Sequence, residues 1–583
     1  EPRLLLDPNT LSEDGAVALN AWEASPDGQW LAYATSASGS DWQTWHVRSV
    51  DTGQDLPDTI EWSKFSGAAW LHDSSGFFYA RYDAPLPGEE FQGTVYFQKL
   101  YFHQRGTPQS ADVLFYERPD EKEWGFGAQV SEDGRYLIIN VWLGTDIRNR
   151  VFYRDLQGGE VVELISTLEA AYMFTGNDGP LFYFRTDLDA PRGRLIAIDT
   201  ANPGKENWRT LIPQAPQMLE SVKLVNEQFV VVYNRDAHHE IWRFGLDGTR
   251  LGEIPLPTLG SLNTNFEYVV SGSRPDQELF YGFTSFLFPL SIYRYDFTTD
   301  ASACLFAPPL AFDTAGYETR QVFVTSRDGT QIPLFLTHKQ GLQLDGQNPT
   351  LLYGYGGFSY SLMPSFAISR LAWLELGGVY AQAVLRGGAE YGEEWHQAGM
   401  LDNKQNVFDD FIACAEWLIA KKITSTPKLA INGGSNGGLL VGACMTQRPG
   451  LFGACLPEVG VMDMLRFHKF TIGWAWVSDY GSADDPAQFK TLYAYSPLHN
   501  IKPGTAYPPT LITTADHDDR VVPGHSFKFA AALQAAQAGE APTLIRIQTK
   551  AGHGFGKPTA ILIEELADKF AFLVWALGVR RLG

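Results

Sequence analysis

Leu429-Ala430-Ile431-Asn432-Gly433-Gly434-Ser435-Asn436-Gly437-Gly438-Leu439-Leu440-Val441 says more about the fold than any other stretch of this 583-residue chain. An apolar run of strand type enters it, and an apolar run of helix type leaves it. Between them, four glycines surround one serine. Flanking glycines let the backbone turn sharply from strand to helix, which exposes the serine hydroxyl. The following helix N-terminus offers positive potential to a developing oxyanion. A Gly-rich turn with no chemistry is the alternative, and the residues downstream weigh against it.

A serine hydroxyl needs a base, and the base needs an orienting carboxylate. In a sheet with this strand–turn–helix the chain order is serine, acid, histidine. The strand-like Leu511-Ile512-Thr513 leads into Asp516-His517-Asp518-Asp519. The strand-like Leu544-Ile545-Arg546-Ile547 leads to Gly552-His553-Gly554. His468, His499, His517 and His525 also lie downstream, but only His553 has the Gly-flanked position after a strand near the C-terminus. The residues alone leave the acid open among Asp516, Asp518 and Asp519.

Around these motifs strands alternate with helices. Arg320–Thr325 and Ile332–Thr337 form a hairpin about Asp328-Gly329, and Thr350–Tyr353 and Gly378–Ala381 are buried strands. Val407–Ala420 places Phe408, Phe411, Ile412, Ala415 and Ile419 on one helix face. This alternation predicts a mainly parallel, doubly wound sheet covered on both faces.

The N-terminal half reads differently. An acidic turn followed by an aromatic strand recurs about Asp27, Asp73, Asp133, Asp178, Glu227 and Asp276, at spacings of 46, 60, 45, 49 and 49 residues. Such a period predicts a β-propeller; hairpins of a β-sandwich are the alternative. The pattern changes near Pro308-Pro309, which divides the chain into a propeller at 1–310 and a catalytic domain at 311–583.

Composition bounds the rest. A net charge of −22 repels phosphate, so neither nucleic acid nor an anionic membrane is an expected partner. The longest apolar run, Phe570–Val579, is too short to cross a bilayer and reads as the buried face of a last helix ending at Arg580-Arg581. Cys304, Cys414, Cys444 and Cys455 form no CxxC pair and lie in apolar stretches, so buried reduced thiols and a cytoplasmic location are expected. No zinc pattern is visible.

Six segments resemble the prolyl oligopeptidase family of serine peptidases: Tyr353–Phe358, Arg386–Gly392, Asn432–Gly438, Gly460–Met464, Thr514–Arg520 and Lys550–His553. The resemblance runs through essentially the whole chain. It implies a seven-bladed propeller covering an α/β-hydrolase domain, and it implies Asp518 as the acid. It also implies Tyr355 and the Asn436 backbone N–H as oxyanion donors, Trp476 as an indole stacking on proline, and Phe358, Val461, Tyr480 and Val521 as the rest of that pocket. Arg520 would hold a substrate carbonyl; without the resemblance it reads as a partner for Asp518 or Asp519. The activity implied is cleavage of short proline-containing peptides after proline through an acyl-enzyme, by a monomer, with no metal or cofactor.

Rival activities are a basic-residue oligopeptidase, which needs acidic side chains where this chain has Trp476 and apolar neighbours, an acylaminoacyl peptidase, an esterase, and a silent propeller scaffold. The family carries seven blades and a helical N-terminal segment, whereas six phrases are found here and the first arrives by Asp27. The expectation is therefore a chain lacking that segment and most of the first blade, with exposed strand edges and an uncovered apolar face on the hydrolase domain.

Overall fold

At two of the six acidic phrases, Asp27 and Asp133, the residues build the same turn. In the computed structural model, which describes residues 3–579 except Asp14, Gln92, 263–268 and 555–556, each phrase links the first and second strands of a four-stranded antiparallel sheet. At Asp27 the carboxylate accepts from the Ser25 hydroxyl (2.5 Å) and the Gln29 N–H (3.0 Å), and Gly28 takes φ 69°. At Asp133 the same bonds come from Ser131 (2.6 Å) and the Arg135 N–H (3.1 Å), with Gly134 at φ 70°. A carboxylate closing an Asx-type turn over a left-handed glycine is a local solution that needs no tertiary help.

Six such sheets occupy residues 17–63, 69–116, 124–165, 172–212, 218–254 and 261–306, and the first two are joined by the pairing of Ser63 with Arg81. Among the described residues six sheets are present, against the seven that the resemblance implies, and the first has all four strands. Consecutive sheets bury one apolar layer between each pair. Trp45 and Phe77 lie in the first layer, Phe126 and Phe152 in the second, Tyr136 and Phe182 in the third. Leu195 with Phe229, and Val232 with Tyr281, mark the fourth and fifth. Between the first and sixth sheets lies instead a cleft of about 670 Å³, walled by Trp22, Trp45, Val269 and Phe280.

The second half forms one eight-stranded sheet. Its strands are β1 (Tyr317–Thr325), β2 (Gln331–Lys339), β3 (Thr350–Tyr353), β4 (Val379–Ala383), β5 (Leu429–Gly434), β6 (Ala454–Glu458), β7 (Thr510–Ala515) and β8 (Thr543–Gln548). Their order is β1-β2-β4-β3-β5-β6-β7-β8. The pairings β1–β2 and β2–β4 are antiparallel and the rest are parallel. Parallel strands present all their C-terminal ends at one edge, so the segments after β3, β5, β7 and β8 meet there. Helix Gln405–Ala420 buries Phe408, Phe411, Ile412 and Ala415 against this sheet as its periodicity predicts, with Ile419 only partly buried.

One expectation needs correction. Cys304 is exposed, because it lies on the outermost strand of the sixth sheet, whereas Cys414, Cys444 and Cys455 are buried free thiols. Arg386, from the motif Arg386–Gly392, is structural. Its guanidinium lies buried on Asp410 (2.9 and 2.6 Å) and reaches Asp328 (2.5 Å), tying the hairpin turn to helix Gln405–Ala420. The last helix spans Thr559–Ala576; Arg580 and Arg581 lie outside the described residues. Ile563 and Trp575 on it are 62% and 60% exposed. Among the described residues no helix is long and apolar enough to cross a membrane.

Asp410→Ala leaves the Arg386 guanidinium buried with one half-exposed partner. Removing one member of a buried ion pair costs about 3–5 kcal/mol. Urea denaturation should report a loss of that order, and a loss under about 1 kcal/mol would show that the network adds nothing.

Candidate active site

Ser435 stands at the end of β5 with φ 58° and ψ −117°, a conformation that costs roughly 1–3 kcal/mol for a residue with a side chain. It is held there by its N–H, which donates to the Glu458 carbonyl on β6 (2.9 Å), and by its carbonyl, which accepts the Gly438 and Leu439 N–H groups of helix Asn436–Gln447 (2.9 and 3.1 Å). The glycines act otherwise than the sequence suggests. None of Gly433, Gly434, Gly437 and Gly438 has positive φ; the sharp turn is in the serine itself. The glycines allow close approach instead. A Cβ on Gly433 would lie 2.4 Å from the Gly437 carbonyl, and one on Gly438 2.6 Å from that of Glu458.

The acid and the base follow β7 and β8. His553 Nδ1 lies 2.8 Å from Asp518 Oδ2, and Asp518 is 2% exposed. The carboxylate can only accept, so the proton between them sits on Nδ1 and Nε2 remains as the basic nitrogen. The other Asp518 oxygen accepts the Arg520 and Val521 N–H groups (3.1 and 2.8 Å). The neighbouring acids are engaged elsewhere. Asp516 bonds His517 (2.7 Å), and Asp519 faces the propeller. The competing histidines are also committed: His468 lies on Asp484 and His499 on Ser496. His525 accepts the Asp463 N–H, and burial pushes its pKa down to about 3.

Tyr355 follows β3, which pairs with β5. Burial raises its phenol well above the ordinary tyrosine pKa, so it is a proton donor, and the Ser435 side chain is among its hydrogen-bonding neighbours. Asn436, the first residue of the helix, donates its side-chain amide to the Tyr355 carbonyl (2.6 Å) and accepts from the Tyr480 hydroxyl (2.9 Å). Beyond it, Val461, Trp476, Tyr480 and Val521 are buried in one apolar cluster, and Phe358 packs on that cluster. Phe467 stacks on Trp476, and Phe358 meets the Tyr480 ring edge-on at 5.1 Å. Asp479 directly precedes Tyr480 of this pocket; its Oδ2 is taken by the Phe358 N–H (3.0 Å) and His396 Nε2 (2.8 Å), and its Oδ1 stands 4.0 Å from the Lys404 ammonium.

The propeller closes over the edge. Asp41 takes the Arg520 guanidinium through both oxygens (3.1 and 2.5 Å), a partner that the sequence reading did not name. Asp519 receives Lys64 Nζ (2.7 Å), the Ser40 hydroxyl and the Asp41 N–H (both 3.1 Å), with Lys64 and Asp519 both fully buried. The His553 loop leans on the same propeller segment: a Cβ on Gly552 would strike the Gly39 carbonyl. Thr145 of the third sheet donates its N–H and hydroxyl to the Ala475 carbonyl, next to Trp476 (both 2.9 Å). Between the domains lies a cavity of about 760 Å³ with Trp142, Tyr172, Met218, Phe358 and Met363 on its walls. Reading the sequence missed Asp41, Lys64, Lys404 and Asp479; each acts through a partner far away in the chain, and none carries a local motif.

Two family models match. The one for the prolyl oligopeptidase N-terminal β-propeller domain covers residues 1–308, and the one for the prolyl oligopeptidase family covers residues 364–580. A prolyl endopeptidase of Elizabethkingia meningoseptica is 41% identical over 99% of this chain and 81% of its own length. Prolyl oligopeptidase A of Amanita bisporigera is 39% identical, over 98% and 78%. A solved structure from an analysis of two prolyl endopeptidases has a TM-score of 0.94 at 39% identity, covering 99% of this chain and 84% of that one. Prolyl oligopeptidase B of Galerina marginata bound to a 35-residue substrate gives 0.92 at 36% identity, over 99% and 82%. Its apo form gives 0.71 at 35% identity, over 98% and 82%.

The glycine geometry separates two neighbouring substitutions. Gly433→Ala forces a Cβ against backbone that cannot turn aside and should cost about 1–3 kcal/mol in urea denaturation. Gly434→Ala, whose Cβ would find its nearest neighbours at 4.0 Å, should change stability by less than about 0.5 kcal/mol. Equal losses would contradict the close-approach account.

Proposed function

The chain belongs to the prolyl oligopeptidase family, and from that premise we propose that Ser435, His553 and Asp518 are the catalytic triad of a serine endopeptidase cleaving short peptides on the carboxyl side of proline. Ser435 Oγ attacks the carbonyl carbon that follows the proline ring and passes its proton to His553 Nε2. Asp518 holds the imidazole by Nδ1 and stabilises the imidazolium that forms. The negative charge of the tetrahedral intermediate falls between the Tyr355 hydroxyl and the Asn436 backbone N–H. His553 then gives its proton to the departing amine. A water deprotonated by the same nitrogen hydrolyses the acyl-enzyme.

Trp476, Phe358, Val461, Tyr480 and Val521 form the proline pocket, because a flat indole among apolar walls buries a flat, rigid pyrrolidine well. Arg520, oriented by Asp41, holds a carbonyl of the substrate on the N-terminal side. The cavity under the propeller has room for a few residues of extended chain and none for a folded protein. The division at 310/311, a monomeric state and a cytoplasmic site of action belong to the same reading, the last supported by three buried free thiols. The observation that carries it is the 2.8 Å contact of His553 with a buried Asp518, at the strand edge where β5 delivers Ser435.

Ser435→Ala should lower kcat by on the order of 10⁴ to 10⁶ while peptide binding persists, and should abolish labelling by a fluorophosphonate. More than about a tenth of the activity remaining would refute the assignment. Trp476→Ala should raise KM for Pro substrates and narrow the preference over Ala; an unchanged preference would move the proline pocket elsewhere.

A further inference from the structure

Lys404 is 1% exposed and belongs to no motif, yet its ammonium lies directly behind the elbow. Nζ donates to the Gly356 carbonyl (2.8 Å) and to Asn436 Oδ1 (3.1 Å), and it stands 4.0 Å from Asp479 Oδ1. Burial lowers its pKa to about 8 against the pull of Asp479. Burying an ammonium costs several kcal/mol, and an apolar side chain of the same volume would often be as stable or more so. The charge therefore calls for a reason other than stability.

The geometry supplies one. Two groups must face a single oxyanion: the Tyr355 hydroxyl, on the segment after β3, and the Asn436 backbone N–H, at the start of the helix after β5. The two segments are 81 residues apart and are joined by the Asn436 side chain, whose Nδ2 donates to the Tyr355 carbonyl (2.6 Å). Lys404 closes a second link, since the carbonyl it binds belongs to the next residue, Gly356, and its other acceptor is the same Asn436 amide. Asp479, beside Lys404, fixes the Phe358 N–H (3.0 Å) and so extends the brace along residues 355–358. Phe358 and Ser359 both take left-handed backbone conformations, so the segment needs such a brace to keep its path.

We propose that Lys404 is the positioning residue of the oxyanion hole, its ammonium bridging the Gly356 carbonyl and the Asn436 amide so that the Tyr355 hydroxyl and the Asn436 N–H keep one spacing. The proposal rests on the oxyanion role given to Tyr355 above. Donors set for the transition state act on kcat and leave ground-state binding alone. A displacement of about 1 Å can cost about a hundredfold in rate.

The test compares Lys404→Met, Lys404→Gln and Tyr355→Phe in the full chain. For each, kcat, KM, binding of a product peptide ending in proline, and inhibition by a peptide aldehyde ending in proline are measured. The aldehyde adds to Ser435 Oγ, the serine proton passing to His553, and forms a hemiacetal whose oxygen occupies the oxyanion hole. Lys404→Met should lower kcat and aldehyde affinity together by roughly tenfold to a hundredfold, with KM and product binding within about twofold. Lys404→Gln, which keeps N–H donors for one of the two acceptors, should fall between it and the unmutated enzyme; it also carries the test if the Met variant does not fold. Unchanged kcat and aldehyde affinity in both Lys404 variants, with a clear loss in Tyr355→Phe, would overturn the proposal alone. Unchanged values in Tyr355→Phe as well would overturn the oxyanion reading beneath it. Weakening of product binding in step with aldehyde binding would make Lys404 a general structural support and overturn the positioning role.

Discussion

The whole site hangs on one strained residue. Ser435 holds φ 58° and ψ −117° only because β6 captures its N–H and the first turn of the following helix captures its carbonyl. Those bonds require β5, β6 and the helix to pass closer than any side chain would allow, and Gly433, Gly437 and Gly438 permit it. Once the serine is fixed there, the rest follows from sheet topology. Parallel strands deliver Tyr355, Asp518 and His553 to the same edge, and Asn436 becomes the helix's first residue. The charge network behind it, from Lys404 through Asp479 to His396, keeps the neighbouring backbone from relaxing. Burial would lower the pKa of His396, but its two carboxylate partners hold it at about 9, so it stays charged at neutral pH.

The propeller is held to this edge by charge. Lys64 and Asp519 are both buried, and Asp41 grips Arg520. Asp519 and Arg520 directly follow Asp518 in the chain, so the ion pairs that seat the propeller are covalently next to the acid proposed for the triad. Any movement of the propeller away from the hydrolase sheet must break pairs one residue from the machinery.

Much of this was legible in the sequence because it is local. The strand–turn–helix about Ser435, the Gly-flanked His553 after its strand and the acidic turns at Asp27 and Asp133 each have a self-contained physical cause. Reading Asp518 from its neighbours was not possible by local rules, since three acids share one loop; they differ only in what they face, namely His517, His553 and the propeller. Arg520 illustrates the same limit. Its partner, Asp41, is 479 residues away, and nothing near Arg520 announces it. Cys304 was misjudged because an apolar strand at a sheet's outer rim has the same composition as one inside. Lys404 gave no signal at all, as a single lysine before a helix is ordinarily a solvated one.

The central claim is that an apolar, indole-floored pocket beside Ser435 selects proline. The direct measurement is kcat/KM for peptides identical except at the residue before the scissile bond, with Pro, Ala, Arg and Phe compared under one set of conditions. The account predicts that Pro exceeds each of the others by at least roughly tenfold, as expected where one fitted apolar group decides transition-state binding. Equal cleavage after Pro, Arg and Phe would contradict it.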